Sequence, residues 1–385
     1  MSFLRELYEG ETHLDFIGKR KIWFVLSGVL ILVSVFSITI PKAESPCSDI
    51  ASGLNCGIEF KGGIEIKAPL ETGPLAEAPV TDVISELRTA IAPFEAGDAQ
   101  IQVTGEGNDR EVLVQTKEVA DPALQEGLRG AIAETTGASV SAIDSQRIGR
   151  KWGQEITNKA VRALVIFLLV IILFMSWRFE WKMAIAALIA LFHDLLITAG
   201  VYALVGFQVT PATLIALLTI LGYSLYDTVV IFDRVDEEVE RFAAPGKMTY
   251  QDAANKAVNT VLGRSINTSL TTLLPVGALL FVGVGLLGAS TLKDLALALL
   301  IGIGVGTYSS IFVATPVLTA LKEGEPRYRN VREKVLRDAR RAEPAVAAVG
   351  EVEGPAPSTS PRPSGKPPAA RARAGSKKAR RRRRR

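Results

Sequence analysis

Apolar residues in this chain fall into six runs long enough to cross a bilayer. They cover Lys21–Ile40, Ala160–Trp177, Met183–Val205, Pro211–Ile231, Ser265–Leu287 and Leu295–Leu318. About 20 apolar residues in helical form span about 30 Å of hydrocarbon, so each run predicts one transmembrane helix. The first follows Lys19, Arg20 and Lys21 and resembles a signal peptide. It is longer than a usual signal core and has no small-x-small cleavage site near Ile40, so it reads as an uncleaved anchor.

Between the first and second runs the pattern changes. Gly62–Ala68 reads as a strand. Val80–Ala92 carries Val83, Ile84, Leu87 and Ile91 at helical spacing. Ala99–Glu106 and Arg110–Lys117 alternate in polarity and are joined by Gly-Asn-Asp, a hairpin signal. A second helix is predicted at Pro122–Thr136, with Leu124, Leu128 and Ile132 on one face, and a last strand at Ala138–Ile148. The order β-α-β-β-α-β is the ferredoxin-like arrangement. The expected fold is an α-helical polytopic membrane protein, six transmembrane helices as one plus five, with a small α+β ferredoxin-like extracytoplasmic domain.

Charge orients these elements. Lys and Arg concentrate before the first span, between the second and third (Arg178, Lys182), between the fourth and fifth (Arg234, Arg241, Lys247, Lys256, Arg264), and after the sixth. The positive-inside rule places all four segments in the cytoplasm. The short turns Gly206–Thr210 and Gly288–Thr291, uncharged, then face outward, as do residues 41–155, with 10 Lys/Arg against 19 Asp/Glu. The predicted layout is a cytoplasmic start at 1–20, an anchor at 21–40, an outer domain at 41–155, a five-helix bundle at 156–320 with a cytoplasmic loop 233–263 helical around Gln251–Val261, and a cytoplasmic tail 321–385. The tail, disordered from about Glu343 by composition, holds 12 of the 44 Lys/Arg in residues 355–385 and no acid, so the formal charge of +4 hides an acidic body. It suits anionic lipid or ribosomal RNA, or is a solvated tail with no partner; DNA is not expected.

Cys47 and Cys56, the two cysteines, lie in the outer segment, either as a disulfide or as free thiols. No spacing suits zinc, a redox pair or a nucleotide loop, so neither cofactor nor enzymatic activity is expected.

Polarity inside the spans carries the chemistry. His193-Asp194 lies mid-way along the third run. A carboxylate at that depth costs roughly 2.5 to 10 kcal/mol, which points to a proton relay or ion-coupling group; a buried helix-to-helix hydrogen bond is the alternative. The fourth run contains Tyr223, Ser224 and Asp227, the last two sharing a face. Asp227 is either a titrating group in a polar seam or an interfacial residue that snorkels out. The fifth opens with Arg264 and then Ser265, Asn267, Thr268, Ser269, Thr271 and Thr272, a hydroxyl-rich stretch suggesting a wet interior face. Arg264 is either a partner for Asp227 or an ordinary positive-inside residue. An arginine keeps its proton, so protonating Asp227 would release the pair. Gly302 and Gly306 form a small-residue packing pattern, and Gly283, Gly285 and Gly288 suit packing or a hinge.

These residues together resemble the SecF family of protein-export subunits within the resistance-nodulation-division superfamily, over about residues 15–320. The markers are Gly57-Ile58-Glu59-Phe60-Lys61-Gly62-Gly63, Gln146-Arg147-Ile148-Gly149, Arg178-Phe179-Glu180-Trp181, His193-Asp194, Gly222–Val230 and Arg264 with Ser265–Thr272. The chain departs from the family pattern at Tyr226, usually Asn, and at Lys61, usually Thr. The resemblance implies a partner, SecD, and work beside the SecYEG channel in the cytoplasmic membrane, pulling exported polypeptides outward on the proton gradient. YajC and YidC are further candidate neighbours. It implies roles in proton movement for Asp227 and Arg264 and leaves that of His193-Asp194 less sharply assigned. Two other classes fit the spans: a half-size proton-coupled exporter of small molecules or lipids, for which the outer domain is small, and a scaffold whose intramembrane acids are replaceable.

Overall fold

Strand alternation and helical spacing set the outer domain. The computed structural model describes residues 12–40, 47, 51–70, 75–105, 107, 110–284 and 292–349. Strand β1 (Gly63–Pro69) buries Ile64, Ile66 and Ala68 on one face. Helix α1 (Val80–Ile91) lays Val83, Leu87 and Ile91 against the same core. Strands β2 (Gln100–Thr104) and β3 (Glu111–Thr116) pair antiparallel with Thr104 opposite Glu111. The expected Gly-Asn-Asp turn lies, apart from Gly107, outside the described residues. Helix α2 (Pro122–Thr136) begins where the Asp121 carboxylate accepts from the Ala123 N–H and ends at Gly137, whose φ of 72° suits a residue without Cβ. Strand β4 (Asp144–Ile148) is shorter than the pattern predicts. Val140–Ala142 is a 3₁₀ turn instead. The sheet order β2-β3-β1-β4, antiparallel throughout, is the ferredoxin-like arrangement.

Among the described residues, six helices are long and apolar enough to cross a membrane: Arg20–Thr39, Lys151–Arg178, Trp181–Val205, Pro211–Ala243, Tyr250–Gly283 and Lys293–Glu323, spans one to six. Spans three and six form the core, with 56% and 50% of their most apolar stretches buried; the corresponding stretch of span five has none. The apolar stretch of span five thus leaves a face uncovered.

Glycines fix the closest approaches. A Cβ on Gly302 would lie 2.1 Å from Ile220 Cδ1, and one on Gly306 3.0 Å from the Ser224 Cβ, so the small-residue pattern brings span six onto span four. Gly200 of span three stands against span one, where a Cβ would sit 2.5 Å from the Ser34 Cα. Backbone cannot yield as a side-chain tip can. Gly200→Val is therefore expected to destabilise the fold by about 1–3 kcal/mol or more, read as a lower thermal midpoint in detergent. Of the other glycines considered as hinges, Gly285 and Gly288 lie outside the described residues, as does the Gly288–Thr291 turn.

Two further elements differ from expectation. The segment 233–263 is helical well beyond the expected Gln251–Val261, since spans four and five run past the apolar stretch. Val235, Val239, Ala243, Tyr250, Ala253, Ala254, Ala257 and Val258 bury one face of this extension. Its polar outer face made it look like a loop. Asn255 and Asn259 there hold the chain before span one, accepting from the N–H groups of Phe16 (2.8 Å) and Leu14 (2.9 Å). The second is a helix at Pro326–Val349, which carries regular structure past Glu343; the strongly basic residues after 349 lie outside the described ones.

Ion pairs fasten one end of the bundle. Buried Lys322 meets Glu180, Lys182 meets Glu325 at 2.9 Å, and Arg20 meets Glu323 at 2.9 Å, joining spans one, three and six. At the opposite end Cys47 and Cys56 form a disulfide. Asn55–Cys56 pairs with Gln208–Val209, tying the exit of span one to the turn after span three.

Candidate functional site: a polar line through the bundle

Span three is built to hold a carboxylate out of lipid. Asp194 has 0% exposure and His193 2%. The Ser224 hydroxyl donates to Asp194 Oδ2 at 2.5 Å and the Ser309 hydroxyl to the same oxygen at 2.9 Å. His193 Nδ1 lies 3.1 Å from Oδ1. Spans three, four and six thus converge on one carboxylate. Beyond it His193 stacks on Tyr308 with ring centroids 5.9 Å apart, and the Tyr308 hydroxyl reaches Ser27 of span one at 3.0 Å. His193 Nε2 is buried with no hydrogen-bond partner among the described residues.

A second cluster joins spans four and five. The Ser265 hydroxyl donates to Asp227 Oδ2 at 2.6 Å. Of the two readings of Arg264, the ion pair with Asp227 is not formed among the described residues. Its guanidinium donates to the Tyr226 hydroxyl at 3.2 Å. The reason is the departure at Tyr226: a phenol reaches farther than an amide and meets the arginine first. Asp227 still feels the guanidinium's charge without touching it.

A cavity of about 30 Å³ separates the two clusters, room for a water molecule. Tyr223, Ser224, Asp227, Thr268, Ser269 and Thr307 are among its lining residues. Ser224 therefore faces the cavity while bonded to Asp194, and Asp227 faces the same space. The line of polar groups runs from Arg264 and Tyr226 through Asp227, the cavity and Ser224 to Asp194 and His193.

Not every predicted residue joins it. Asn267 and Thr271 lie on the exposed face of span five. The hydroxyls of Thr268, Thr271 and Thr272 bond to carbonyls of their own helix, four residues back. In span five only Ser265, to Asp227, and Ser269, to Thr307 of span six at 2.7 Å, are hydroxyls that bond to other spans. Conversely, Thr307, Tyr308, Ser309 and Ser310 of span six and Thr228 of span four belong to the networks and were not singled out. Four successive hydroxyl residues after Gly306 were the available signal. Ser310 bonds to Thr228 at 2.9 Å and begins a π-helical turn, Ser310–Ala314, ahead of Pro316.

One marker outside the spans also carries a carboxylate. Glu59 stands beneath the sheet-containing domain, with Oε2 buried and without a hydrogen-bond partner among the described residues. Burial pushes its pKa up, helped by the nearby charges of Glu65 and Asp294. A raised carboxylate pKa favours the fold while the group is protonated, and that advantage fades as pH rises through the folded-state value. Glu59→Gln is expected to match the native protein in thermal midpoint below about pH 4.5 and exceed it at neutral pH; equal midpoints at both would contradict the burial argument.

The profile of the family described as protein export membrane protein SecD/SecF, C-terminal, matches residues 129–324. The chain belongs to the SecD/SecF protein-export family. The protein translocase subunit SecF of Streptomyces coelicolor is 39% identical over 88% of this chain and 84% of its own. The SecF subunit of Mycobacterium tuberculosis H37Rv is 40% identical over 92% of this chain and 77% of its own. Among solved structures, the translocon-associated membrane protein SecDF of Thermus thermophilus is similar with a TM-score of 0.66 at 30% identity, covering 84% of this chain. This chain spans 40% of that one. The SecD/SecF match covers the second half of α2, β4 and all of spans two to six, so it includes both carboxylate clusters.

Proposed function

We propose that this chain is the SecF half of a membrane export motor, working with SecD beside the SecYEG channel and driven by protons moving through the polar line. The observation that carries this reading is the shared cavity, which places Asp227 and the Ser224–Asp194 network on one water-sized space. A structural hydrogen bond needs no such room. Proton transfer does, because it needs a continuous chain of donors and acceptors.

In this mechanism Asp227 is the entry carboxylate and Arg264 the fixed charge that favours its ionised form. Protonating Asp227 cancels its attraction to the guanidinium and weakens the hold of Ser265. Spans four and five are then free to shift, with the π-helical turn of span six and its glycine contacts on span four absorbing the motion. Asp194 receives or stabilises the proton through Ser224. The ferredoxin-like domain, tied to the bundle through Asn55–Cys56, transmits movement to the outside. Basic segments on one side and a disulfide on the other support cytoplasmic termini and an oxidising outer compartment. The uncovered face of span five supports a second half-bundle as partner.

The test is export into membrane vesicles holding this chain with SecD, against vesicles holding SecD alone. An imposed proton gradient is expected to raise the export rate only when both chains are present. Equal stimulation in both would remove this chain from the motor.

A further inference from the structure

Two cavities meet at Lys61. The first, of about 300 Å³, is apolar and lies between the first halves of spans two and four and the middle of span three. Val161 and Leu164 of span two, Leu195 of span three, and Leu214 and Leu217 of span four are on its walls, with the Cys47–Cys56 disulfide at one end. The second, of about 250 Å³, is polar and lies against the outer domain, where Gln100, Gln115 and Lys117 contribute side chains. Lys61 lines both. Each approaches or matches the lower end of the range for ligand sites, about 300–1,000 Å³.

Their arrangement reproduces the polarity profile of a lipid: hydrocarbon below, a cation at the boundary, hydrogen-bonding groups above. The apolar cavity is bordered by residues that face the bilayer, since Val161 and Ile215 are exposed on the flanks of spans two and four. Lys61 is half-buried and has neither an ion pair nor a hydrogen bond among the described residues. The other charges in the polar cavity, Lys117 and Asp98, pair with each other at 3.3 Å. An unpaired ammonium in an outer segment with 10 Lys/Arg and 19 Asp/Glu is at odds with its surroundings. Burial lowers the Lys61 pKa, a cost that an adjacent anion offsets.

We propose that Lys61 and the two cavities it joins form a site for one anionic phospholipid of the outer leaflet. The acyl chain lies between spans two, three and four, the phosphate rests on the Lys61 ammonium, and the glycerol headgroup reaches Gln100 and Gln115. The site lies beside the Asn55–Cys56 tether, so a bound lipid braces the joint between the outer domain and the bundle.

The test uses the full chain with SecD, purified in detergent and titrated with phosphatidylglycerol or phosphatidylcholine, with bound lipid counted by native mass spectrometry. One phosphatidylglycerol is expected to be retained, preferred about fivefold over phosphatidylcholine, the effect of one lysine at a charged surface. Lys61→Gln is expected to bring the two lipids to parity, and Leu217→Trp, which fills the apolar cavity, to lose both. No preference in the native complex, an unchanged preference in Lys61→Gln, or undiminished retention in Leu217→Trp overturns the proposal. A photo-reactive residue at position 161 is expected to capture lipid; capture of exported polypeptide instead overturns it as well.

Discussion

Replacing Asp227 with Asn is expected to remove at least about nine-tenths of the gradient-dependent part of export, consistent with the 10²–10⁴-fold contributions of positioned proton-transfer groups. Gradient-independent export and co-purification with SecD stay at native levels. The argument rests on what the substitution keeps and what it loses. Asparagine fills the same volume and still accepts from Ser265, which now bonds to Asp227 at 2.6 Å. It cannot take up or release a proton, and it presents no charge to Arg264. A variant that assembles but ignores the gradient assigns the lost activity to titration. A variant that fails to assemble points to a packing role instead. Export rate and co-purified SecD from the same membranes separate the two.

The larger effect on stability is expected at Asp194. Asp194→Leu leaves the Ser224 and Ser309 hydroxyls and His193 Nδ1 without their shared acceptor in a fully buried place. An unsatisfied buried polar group costs about 1–3 kcal/mol. The serines can turn toward carbonyls of their own helices, as Ser309 already does toward Gly306 at 3.1 Å. His193 has no such recourse, because its Nε2 is already unpartnered. A net loss of about 2–4 kcal/mol follows, seen as a lower thermal midpoint. Asp194→Asn keeps an acceptor at the same point and is expected to lose much less. If both variants lost stability equally, charge rather than hydrogen bonding would be holding the three spans together.

The sequence made the spans legible because lipid leaves little choice of element: an apolar run of that length has to be a helix. The outer domain was legible for a different reason. Its strands alternate and its helices carry Val83, Leu87 and Leu128 at helical spacing, so period and fold agree. What escaped notice was what depends on contact between distant segments. Asn255 and Asn259 look like ordinary polar residues until they are seen holding the backbone before span one. Ser309 and Ser310 are small residues in an apolar helix, and only the packing of Gly302 and Gly306 on span four aims them at Asp194 and Thr228. Which of the two readings of Arg264 holds is not legible in the sequence, because charge sign says nothing of reach. Tyr226 intercepts the guanidinium, a geometric outcome that spacing along two helices does not reveal. The hydroxyl-rich stretch of span five divides in a way that spacing does not show: Thr268 and Ser269 line the water-sized cavity, while Thr271 lies on the exposed face with its hydroxyl bonded to its own helix.

The most direct test of the account is proton uptake itself. Vesicles containing this chain and SecD, loaded with a pH-sensitive dye, would be followed while a polypeptide is being exported, with the native chain and with Asp227→Asn. The account predicts dye-reported proton flow during export with the native chain and none above background with the variant. Equal flow in both would place the proton path outside the Asp227–Ser224–Asp194 line and contradict the mechanism.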